Sequence, residues 1–245
     1  MNAEVHARRA HAVLNLGSRN QKAIKIERLL DLKHRAQPIA MLEIGTGSGG
    51  IAHYFGTHPS LRCNVSAADV RDNRQITEGF SYQPVSGTRL PFEAASFDVV
   101  ISNHVIEHVG NAAAQHQHLV EIHRVMNPGG VGYLAVPNRW MLREPHYRLL
   151  FLSWWPRPLR TPYLRMMRKG SFYDCEPLQM HQLEHMLAAA GFHYQNICIE
   201  ALRATLDIEG AQSTTARILH ATPDTLLRPF RRIIPTLIYR IERAK

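Results

Sequence analysis

The stretch Met41-Leu-Glu-Ile-Gly-Thr-Gly-Ser-Gly-Gly50 decides the fold of this 245-residue chain. An apolar run over 39–44, interrupted only by Glu43, stops at glycine-rich backbone, and a helix-compatible segment follows at 51–55. This order of strand, glycine turn and helix brings bare backbone N–H groups close to a nucleotide-like ligand. Glycine suits such a turn because a Cβ would block the approach of the ligand and because the turn often requires a positive φ.

The glycine spacing by itself fits two classes of cofactor. Gly45, Gly47 and Gly50 match the dinucleotide pattern G-x-G-x-x-G, whereas Gly45, Gly47 and Gly49 match G-x-G-x-G. A third interpretation is an ordinary glycine turn that binds no ligand. The segments that follow in the sequence decide between these alternatives.

Further strand and turn signals follow the glycines. A second apolar stretch, 61–68, ends at Asp69, where a carboxylate some twenty residues beyond the glycines can accept hydrogen bonds from ribose hydroxyls. The later segments, in order, are LPF at 90–92, SFDVVISN at 96–103, HVIEHV at 104–109 and NPGGVGYLAVPN at 127–138.

This succession resembles the class I S-adenosylmethionine-dependent methyltransferases, in particular the type 11 methyltransferase domain, over about residues 38–140. The resemblance implies an α/β, Rossmann-like fold with a seven-stranded, mostly parallel sheet, helices on both faces and an antiparallel last strand. It also implies S-adenosylmethionine as cofactor. An NAD(P)-dependent dehydrogenase is the alternative enzyme, disfavoured because the LPF and FDVV segments have no counterpart there. A non-catalytic cofactor-binding module is disfavoured because Glu43, the glycines and Asp69 are all present.

The resemblance places the cofactor contacts at the ends of the first four strands. Glu43 would orient the glycine loop or the amino group of the cofactor, and Asp69 would hold the ribose. Family members often carry an acid near the adenine where this chain has Ser86, so the adenine contacts fall to residues 86–88. The predicted cofactor-binding residues are Glu43, Gly45, Thr46, Gly47, Gly49, Asp69, Val70, Ser86, Gly87, Thr88 and Asn103.

Three histidines are candidates for the catalytic base, since an oxygen or nitrogen acceptor must lose a proton. His104 lies just past the fourth strand, at the edge where open α/β sheets bind ligands. His108 belongs to the family's Glu-His pair, which often has a structural role at the start of a helix. His146 lies in the segment that would cover the acceptor. We predict that a further cluster of histidines, His116, His118 and His123, is solvated, because these three do not share one helical face.

The segment His104-Val-Ile-Glu-His108 also bears on metal binding. It spells the H-x-x-E-H motif of inverted zinc proteases, but that motif needs both histidines on a helix, whereas His104 directly follows a strand. Some quinone-pathway O-methyltransferases resemble this segment with E-x-x-E-H, which is associated with a divalent metal. Because His104 replaces their first acid, we predict no metal site.

We divide the chain into an N-terminal flanking helix region, 1–37, and a methyltransferase domain, 38–245. A cap insertion at 138–176, rich in aromatic residues and proline, follows the fifth strand, and a helical insertion at 201–234 precedes the last strand. Residues 226–243 also fit a basic amphipathic helix instead of a strand. Other predicted elements are a helix at 20–33, a helix-ending loop at 127–130 and a strand at 192–200.

The net charge of +9 is unevenly distributed. Residues 1–140 hold 14 basic against 11 acidic residues, and residues 141–245 hold 15 against 9. A basic surface attracts an anionic acceptor, anionic lipid or nucleic acid, and the alternative is a solvated arginine-rich surface. Nucleic acid is disfavoured because the chain lacks the Asn/Asp-Pro-Pro-Tyr/Phe motif for a flipped base.

The cap is expected to select the acceptor, for which we predict O-methylation of a sugar, a lipid-linked molecule or a small cyclic molecule. Trp154 and Trp155 beside Arg157 and Arg160 suit a ring with an anionic group, and they also suit a membrane interface. The alternative is that the tryptophans pack the cap onto the sheet. Three cysteines without paired spacing and no apolar signal segment predict a cytoplasmic protein, with peripheral contact at the inner membrane surface left open. The sequence does not indicate an oligomeric state.

Overall fold

A seven-stranded sheet forms the centre of the computed structural model, which describes residues 15–210 and 213–244. Its strands are β1 (Ile39–Ile44), β2 (Cys63–Asp69), β3 (Phe80–Pro84), β4 (Phe97–Asn103), β5 (Met126–Pro137), β6 (Phe192–Asn196) and β7 (Thr236–Arg243). Their order in the sheet is β3-β2-β1-β4-β5-β7-β6. The first five strands pair in parallel, and β7 runs antiparallel to both β5 and β6. The predicted fold class is confirmed.

Helices cover both faces of this sheet. The longer ones are α1 (Leu16–Leu29), α2 (Gly50–Gly56), α3 (Ala112–Val125), α4 (Arg157–Met166), α5 (Met180–Ala189), α6 (Cys198–Glu209) and α7 (Thr214–Ala221), followed by the short α8 (Asp224–Leu227). Buried residues of α1, α2 and α6 form one core with the sheet, and those of α3 and α5 form a second core on its other face. No helix in the described ranges is both long and apolar enough to cross a membrane.

The two cores use alternate residues of the same strands. Met41 and Val99 point into the core with α1 and α2, whereas Leu42 and Val100 point into the core with α3 and α5. Successive side chains of a strand lie on opposite faces, and a strand covered on both faces reads as a continuous apolar run. Each fully buried aliphatic side chain stabilises the fold by about 1.5–3 kcal/mol. Because both faces of β1 are covered, its sequence at 39–44 is an almost continuous apolar run, as expected for a central strand.

Three predicted boundaries are wrong for local reasons. The first helix begins at Leu16 instead of residue 20, because Asn15 caps it by accepting a hydrogen bond from the backbone N of Ser18 at 2.9 Å. The predicted loop at 127–130 belongs to β5, where a shift in the pairing register with β4 accommodates the extra residues. The predicted strand at 192–200 ends at Asn196, since its side chain accepts from the backbone N of Cys198 where α6 begins.

The two segments predicted as insertions have different structures. The cap segment 138–176 contains one 3-10 turn and α4, and it has a small core of its own: Tyr147, Leu149, Leu152, Leu164, Tyr173 and Cys175. The segment 201–234 contains most of α6, α7, α8 and a 3-10 turn. The basic stretch at its end forms β7 from Thr236 onward, so the alternative amphipathic helix over 226–243 is wrong.

Candidate active site

The predicted cofactor residues meet at one edge of the sheet. The carboxyl ends of β1, β2, β3 and β4 lie side by side there, and the chain order reverses between β1 and β4. The glycine loop 45–49 follows β1, Asp69 is the last residue of β2, residues 86–88 follow β3, and Asn103 is the last residue of β4. In open α/β sheets this switch point is where ligands bind.

The glycine loop has a backbone that only glycine adopts easily. Gly45, Gly47 and Gly49 have φ values of +73°, +54° and +83°. A Cβ on Gly49 would lie 2.4 Å from the carbonyl oxygen of Ile76, which as backbone cannot move aside. Gly50, in contrast, is the first residue of α2. The loop conformation therefore depends on the G-x-G-x-G spacing.

Glu43 stabilises the conformation of this loop through hydrogen bonds. Its buried Oε2 accepts hydrogen bonds from Thr46 Oγ1 at 2.7 Å and from the backbone N of Ala52 at 3.0 Å. Burial raises the pKa of Glu43 to about 8, although both hydrogen bonds act in the opposite direction. Glu43 thus connects β1, the loop and α2. Of the two roles expected for it, these contacts correspond to orienting the glycine loop.

Asp69 lies against the same loop. Its Oδ2 accepts from the backbone N of Gly47 at 2.9 Å, and its Oδ1 accepts from the backbone N of Arg71 at 3.2 Å. Beyond it, Val70 is 64% exposed, and a Cβ on Gly87 would meet no atom within 4 Å. The carboxylate and the open surface beside it leave space for a nucleoside.

Two buried side-chain oxygens, after β1 and at the end of β4, are candidates for hydrogen bonds to a ligand. Among the described residues, Ser48 Oγ and Asn103 Oδ1 are buried and have no hydrogen-bond partner. Unpaired buried polar atoms are costly, and a bound ligand can satisfy them. Together with the bare glycine backbone and the carboxylate of Asp69, these atoms fit the adenosyl and amino-acid groups of S-adenosylmethionine.

On the β4 side of the crevice, two predicted histidines share one carboxylate that the sequence analysis missed. Glu107 is fully buried; His104 Nδ1 lies 3.3 Å and His108 Nε2 3.8 Å from its Oε1. Burial alone would raise the pKa of Glu107, but the hydrogen bond and charge of His104 and the charge of His108 bring it below its usual value. The H-x-x-E-H spacing was the available signal, since it places this acid between the histidines.

The third histidine, His146, comes from the cap and joins this cluster. Its ring centroid lies 5.7 Å from that of His108, and its Nδ1 is 2.7 Å from Glu144 Oε1. Burial acts to lower the pKa of His146, but the hydrogen bond and charge of Glu144 raise it overall. Cys175 Sγ lies 3.9 Å from His108 Nδ1 and 4.0 Å from His146 Nδ1. Neither Glu144 nor Cys175 was predicted, because isolated residues so far apart in sequence carry no motif.

His118 corrects the prediction that the α3 histidines are solvated. It is 2% exposed, and its Nε2 lies 3.1 Å from Ser102 Oγ, near the end of β4. Burial lowers the pKa of His118 to about 4. His123 is partly buried as well and packs edge-on against Phe192. The prediction failed because α3 also buries polar side chains, which a search for apolar spacing does not detect.

The two tryptophans of the cap have different environments. Trp154 Nε1 donates to the carbonyl of Met141 at 2.9 Å, and its ring packs edge-on against Trp140 and Phe151. Trp155 is 44% exposed, and its ring is tilted against a neighbouring tyrosine. In these contacts Trp154 packs against other cap residues and not against the sheet, whereas Trp155 is more exposed.

The two arginines next to the tryptophans hold the cap together. Arg157 Nε lies 2.9 Å and Arg160 Nη1 3.5 Å from Glu176 Oε2. Arg160 is buried, donates from Nε to the carbonyl of Trp155 and lies over the ring of Tyr173. An anionic acceptor would have to compete with Glu176 for both arginines.

Comparisons with known proteins find similarity to methyltransferases. The model of a methyltransferase domain matches residues 42–134. A ubiquinone biosynthesis O-methyltransferase of Maricaulis maris (strain MCS10) is 31% identical over 109 residues, 41% of this chain and 41% of that protein. A malonyl-(acyl-carrier protein) O-methyltransferase of Erwinia billingiae (strain Eb661) is 27% identical over 144 residues, 58% of this chain and 54% of that protein. The chain thus spans about half the length of the curated relatives it matches.

The solved structures show the same fold. A chain from the complex that contains the Haloferax volcanii Trm112 methyltransferase activator superposes with a TM-score of 0.56 at 17% identity, covering 94% of this chain and 93% of that one. Residues 42–134 therefore match a methyltransferase domain, and the chain as a whole shares its fold with a solved structure of this kind.

Proposed function

We propose that this chain transfers a methyl group from S-adenosylmethionine to an oxygen of a sugar, a lipid-linked molecule or a small cyclic molecule. The observation that carries the proposal is the loop 45–49 at the switch point of the sheet, which has three glycines of positive φ and in which the backbone N of Gly47 donates to the carboxylate of Asp69. Bound there, S-adenosylmethionine supplies a methyl group already activated for in-line displacement. The protein then has to align the acceptor, take its proton and exclude water.

His104 is the residue we assign as the base. It follows the last residue of β4, beside the crevice, and has a positive φ of 59°, a strained conformation that often accompanies function. Glu107 Oε1 lies 3.3 Å from His104 Nδ1 and so orients the ring, as carboxylates commonly do for catalytic histidines. His108 and His146 line the same cluster and remain candidates for contacts with the acceptor.

The cap surface supports a lipid-linked acceptor among the three classes. Besides the exposed Trp155 it presents further large apolar side chains that are 44–71% exposed: Leu142, Leu150, Phe151, Leu159, Met166, Met167 and Phe172. Exposed basic residues lie among them: Arg143, Arg148, Arg157, Arg165, Arg168 and Lys169. Apolar side chains interspersed with cations suit the surface of an anionic membrane. Both curated relatives are named O-methyltransferases, which supports oxygen as the acceptor atom.

A thermal-shift experiment tests the cofactor. At S-adenosylhomocysteine concentrations 100-fold above Kd, binding stabilises the folded state by about 2.7 kcal/mol. For a chain of this size we expect the Tm to rise by roughly 5–10 °C. NAD⁺ and NADP⁺ serve as controls and should leave the Tm unchanged. A rise with a nicotinamide dinucleotide and none with S-adenosylhomocysteine would instead support a dehydrogenase.

The acceptor class is tested by supplying the protein with S-adenosylmethionine tritiated on the methyl group and a cell extract. We expect the tritium label in a product that partitions into the organic phase. Reagents that remove methyl groups from nitrogen or sulfur should leave this label in place. Label confined to the aqueous phase would favour a sugar. Co-sedimentation with phosphatidylglycerol vesicles, but not with phosphatidylcholine vesicles, is expected for peripheral contact, and no sedimentation with either would remove that part of the proposal.

A further inference from the structure

We propose that Glu144, His146 and Cys175 form a binding site for a transition-metal dication of the Zn²⁺ type. The three side chains offer a carboxylate oxygen, an imidazole nitrogen and a thiol sulfur, all within 4.8 Å of one another. Zn²⁺ combines these three ligand types in proteins, whereas Mg²⁺ and Ca²⁺ prefer oxygen alone. The site lies at the junction between the cap and the segment that follows β4.

The distances between the donor atoms are close to those of a tetrahedral site. With Zn–S bonds of about 2.3 Å and Zn–N bonds of about 2.0 Å, sulfur and nitrogen lie about 3.5 Å apart in such a site. Cys175 Sγ lies 4.0 Å from His146 Nδ1, and Glu144 Oε1 lies 2.7 Å from the same nitrogen. The sulfur would have to approach the nitrogen slightly, and the carboxylate oxygen would have to move away from it as the metal replaces their hydrogen bond; all three donors already lie within 4.8 Å of one another.

Acidic residues often cluster on protein surfaces without binding a metal, but this cluster is buried. Glu144 is 1% exposed and Cys175 is 2% exposed, and the acidic side chain of Asp174 lies 3.7 Å from Cys175 Sγ. Placing several anionic groups out of water is costly unless a cation accompanies them. A dication at the centre of the cluster would take the place of the proton that His146 shares with Glu144 and would offset the charge of a Cys175 thiolate.

Glu107 places a further buried carboxylate near this cluster. It is 0% exposed and lies 3.3 Å from His104 Nδ1 and 3.8 Å from His108 Nε2. The ring of His108 in turn packs against that of His146, and His108 Nδ1 lies 3.9 Å from Cys175 Sγ. Buried carboxylates and histidines of this kind commonly surround the ligands of a metal ion.

The surroundings of the ligands resemble the support that metal sites require. Glu144 Oε2 accepts from the backbone N of Tyr147 at 2.7 Å, which fixes the orientation of the carboxylate. His108 Nδ1 lies 3.9 Å from Cys175 Sγ on the side of the crevice. Three protein ligands with an open fourth position are typical of a catalytic zinc site. The ion would also cross-link two parts of the cap, because its ligands come from both ends of that segment.

This site differs from the metal considered in the sequence analysis. The H-x-x-E-H segment contains His104 and His108, and its pattern led us to predict no metal. The proposed ligands lie in the cap, 29 residues apart between His146 and Cys175, and folding alone brings them together. The proposal is independent of the proposed methyl transfer, because metal binding can be measured without cofactor or acceptor.

Cobalt titration of the full chain tests the site. After removal of metals with EDTA and dialysis, we expect one equivalent of Co²⁺ to bind and to produce a thiolate-to-cobalt charge-transfer band, which one equivalent of Zn²⁺ then displaces. Cys175→Ser should abolish the band and lower the affinity for Co²⁺ at least tenfold. Cys198→Ser is the matched control, since Cys198 is also a free thiol that is 2% exposed. It should retain both the band and the affinity.

A second variant keeps the test decisive if the cysteine substitution disturbs folding. His146→Gln should retain the charge-transfer band and weaken Co²⁺ binding at least tenfold. The proposal is overturned if the wild-type chain binds no stoichiometric Co²⁺ or Zn²⁺. It is equally overturned if folded Cys175→Ser binds as tightly as wild type, or if only His104→Gln lowers the affinity. None of these results changes the expected shift with S-adenosylhomocysteine.

Discussion

The cofactor edge and the cap of this protein are built in opposite ways. At the cofactor edge, short stretches of backbone define the site: the loop 45–49 and the end of β2 meet through the hydrogen bond from Gly47 N to Asp69 Oδ2. In the cap, isolated side chains define it, and His146 and Cys175 meet only because α4 and the loops around it return the chain to the same point. A linear motif can therefore reveal a site that is formed by short backbone segments, but not one that is formed by side chains distant in sequence.

The largest effect is expected where the backbone itself forms the site. Gly49→Ala places a Cβ 2.4 Å from the carbonyl oxygen of Ile76, at a φ of +83°. Backbone strain and overpacking together should lower the free energy of unfolding by about 4 kcal/mol. Urea denaturation measures this loss, and calorimetry should show at least a 100-fold weaker affinity for S-adenosylhomocysteine.

Gly110→Ala is the control for that substitution. Gly110 also has a positive φ, of +129°, but its added Cβ would meet only Ala114 Cβ at 3.5 Å, an ordinary contact. Backbone strain without overpacking should cost about 2 kcal/mol and leave the affinity for S-adenosylhomocysteine unchanged. If Gly49→Ala and Gly110→Ala lost equal amounts of stability and affinity, the cofactor edge would not depend on the close packing of its loop.

The next effect tests the boundary between the two regions, where His118 is buried under the end of β4. Burial lowers the pKa of His118 from 6.5 to about 4, so the unfolded state binds more protons between these values. Stability is therefore fully present above pH 6.5 and is lost as the pH falls toward 4. The total linkage amounts to about 3 kcal/mol, of which about 2 kcal/mol should be lost between pH 7.5 and pH 5.

Denaturation with urea at several pH values measures this loss. His118→Gln keeps a polar group near Ser102 Oγ but does not titrate, so its stability should vary less over the same range. His181→Gln, at an exposed position on α5, should retain the wild-type dependence. If His118→Gln retained the full pH dependence, another group would be responsible for it.

The fold, and the meeting of the glycine loop with Asp69 at one edge of the sheet, could be predicted from the sequence for a physical reason. A central strand covered on both faces leaves a continuous apolar run, and a glycine loop leaves a short pattern, so β1 and the loop 45–49 are visible within ten residues. Asp69 is visible because it ends the next apolar run. The same reasoning could not find Glu144 or Cys175, because neither lies in a pattern and their meeting depends on the path of the whole cap.

Polar residues inside the core were the other class that sequence reasoning missed. His118 was predicted to be solvated because it breaks the apolar spacing of α3, yet Ser102 provides a polar neighbour within the core. Glu107 lay in the H-x-x-E-H segment, but its letters do not show that it would be 0% exposed between two histidines. Burial of a polar side chain depends on long-range partners, which spacing along one helix does not contain.

A smaller effect tests a single side chain at the cofactor edge. Asp69→Asn keeps the shape of the side chain but removes the negative charge that would accept hydrogen bonds from the ribose hydroxyls. Loss of a charged hydrogen bond of this type costs about 2 kcal/mol, so the affinity for S-adenosylhomocysteine should fall roughly 30-fold. Calorimetry at neutral pH measures it, with Asp72→Asn, an exposed acid three residues further on, as control. An unchanged affinity in Asp69→Asn would remove the ribose contact from the proposed site.

The smallest effect compares two neighbouring side chains of the cap. Trp154→Ala removes edge-on contacts with Trp140 and Phe151 and the hydrogen bond to the Met141 carbonyl, so the cap should lose about 1–2 kcal/mol of stability. Trp155→Ala, at a 44% exposed position, should lose less than about 0.5 kcal/mol. Limited proteolysis should accordingly cleave the cap segment 138–176 sooner in Trp154→Ala than in wild type. Trp155→Ala should instead weaken binding to phosphatidylglycerol vesicles without faster cleavage. The reverse pattern would mean that Trp154 forms the surface and Trp155 the packing contact.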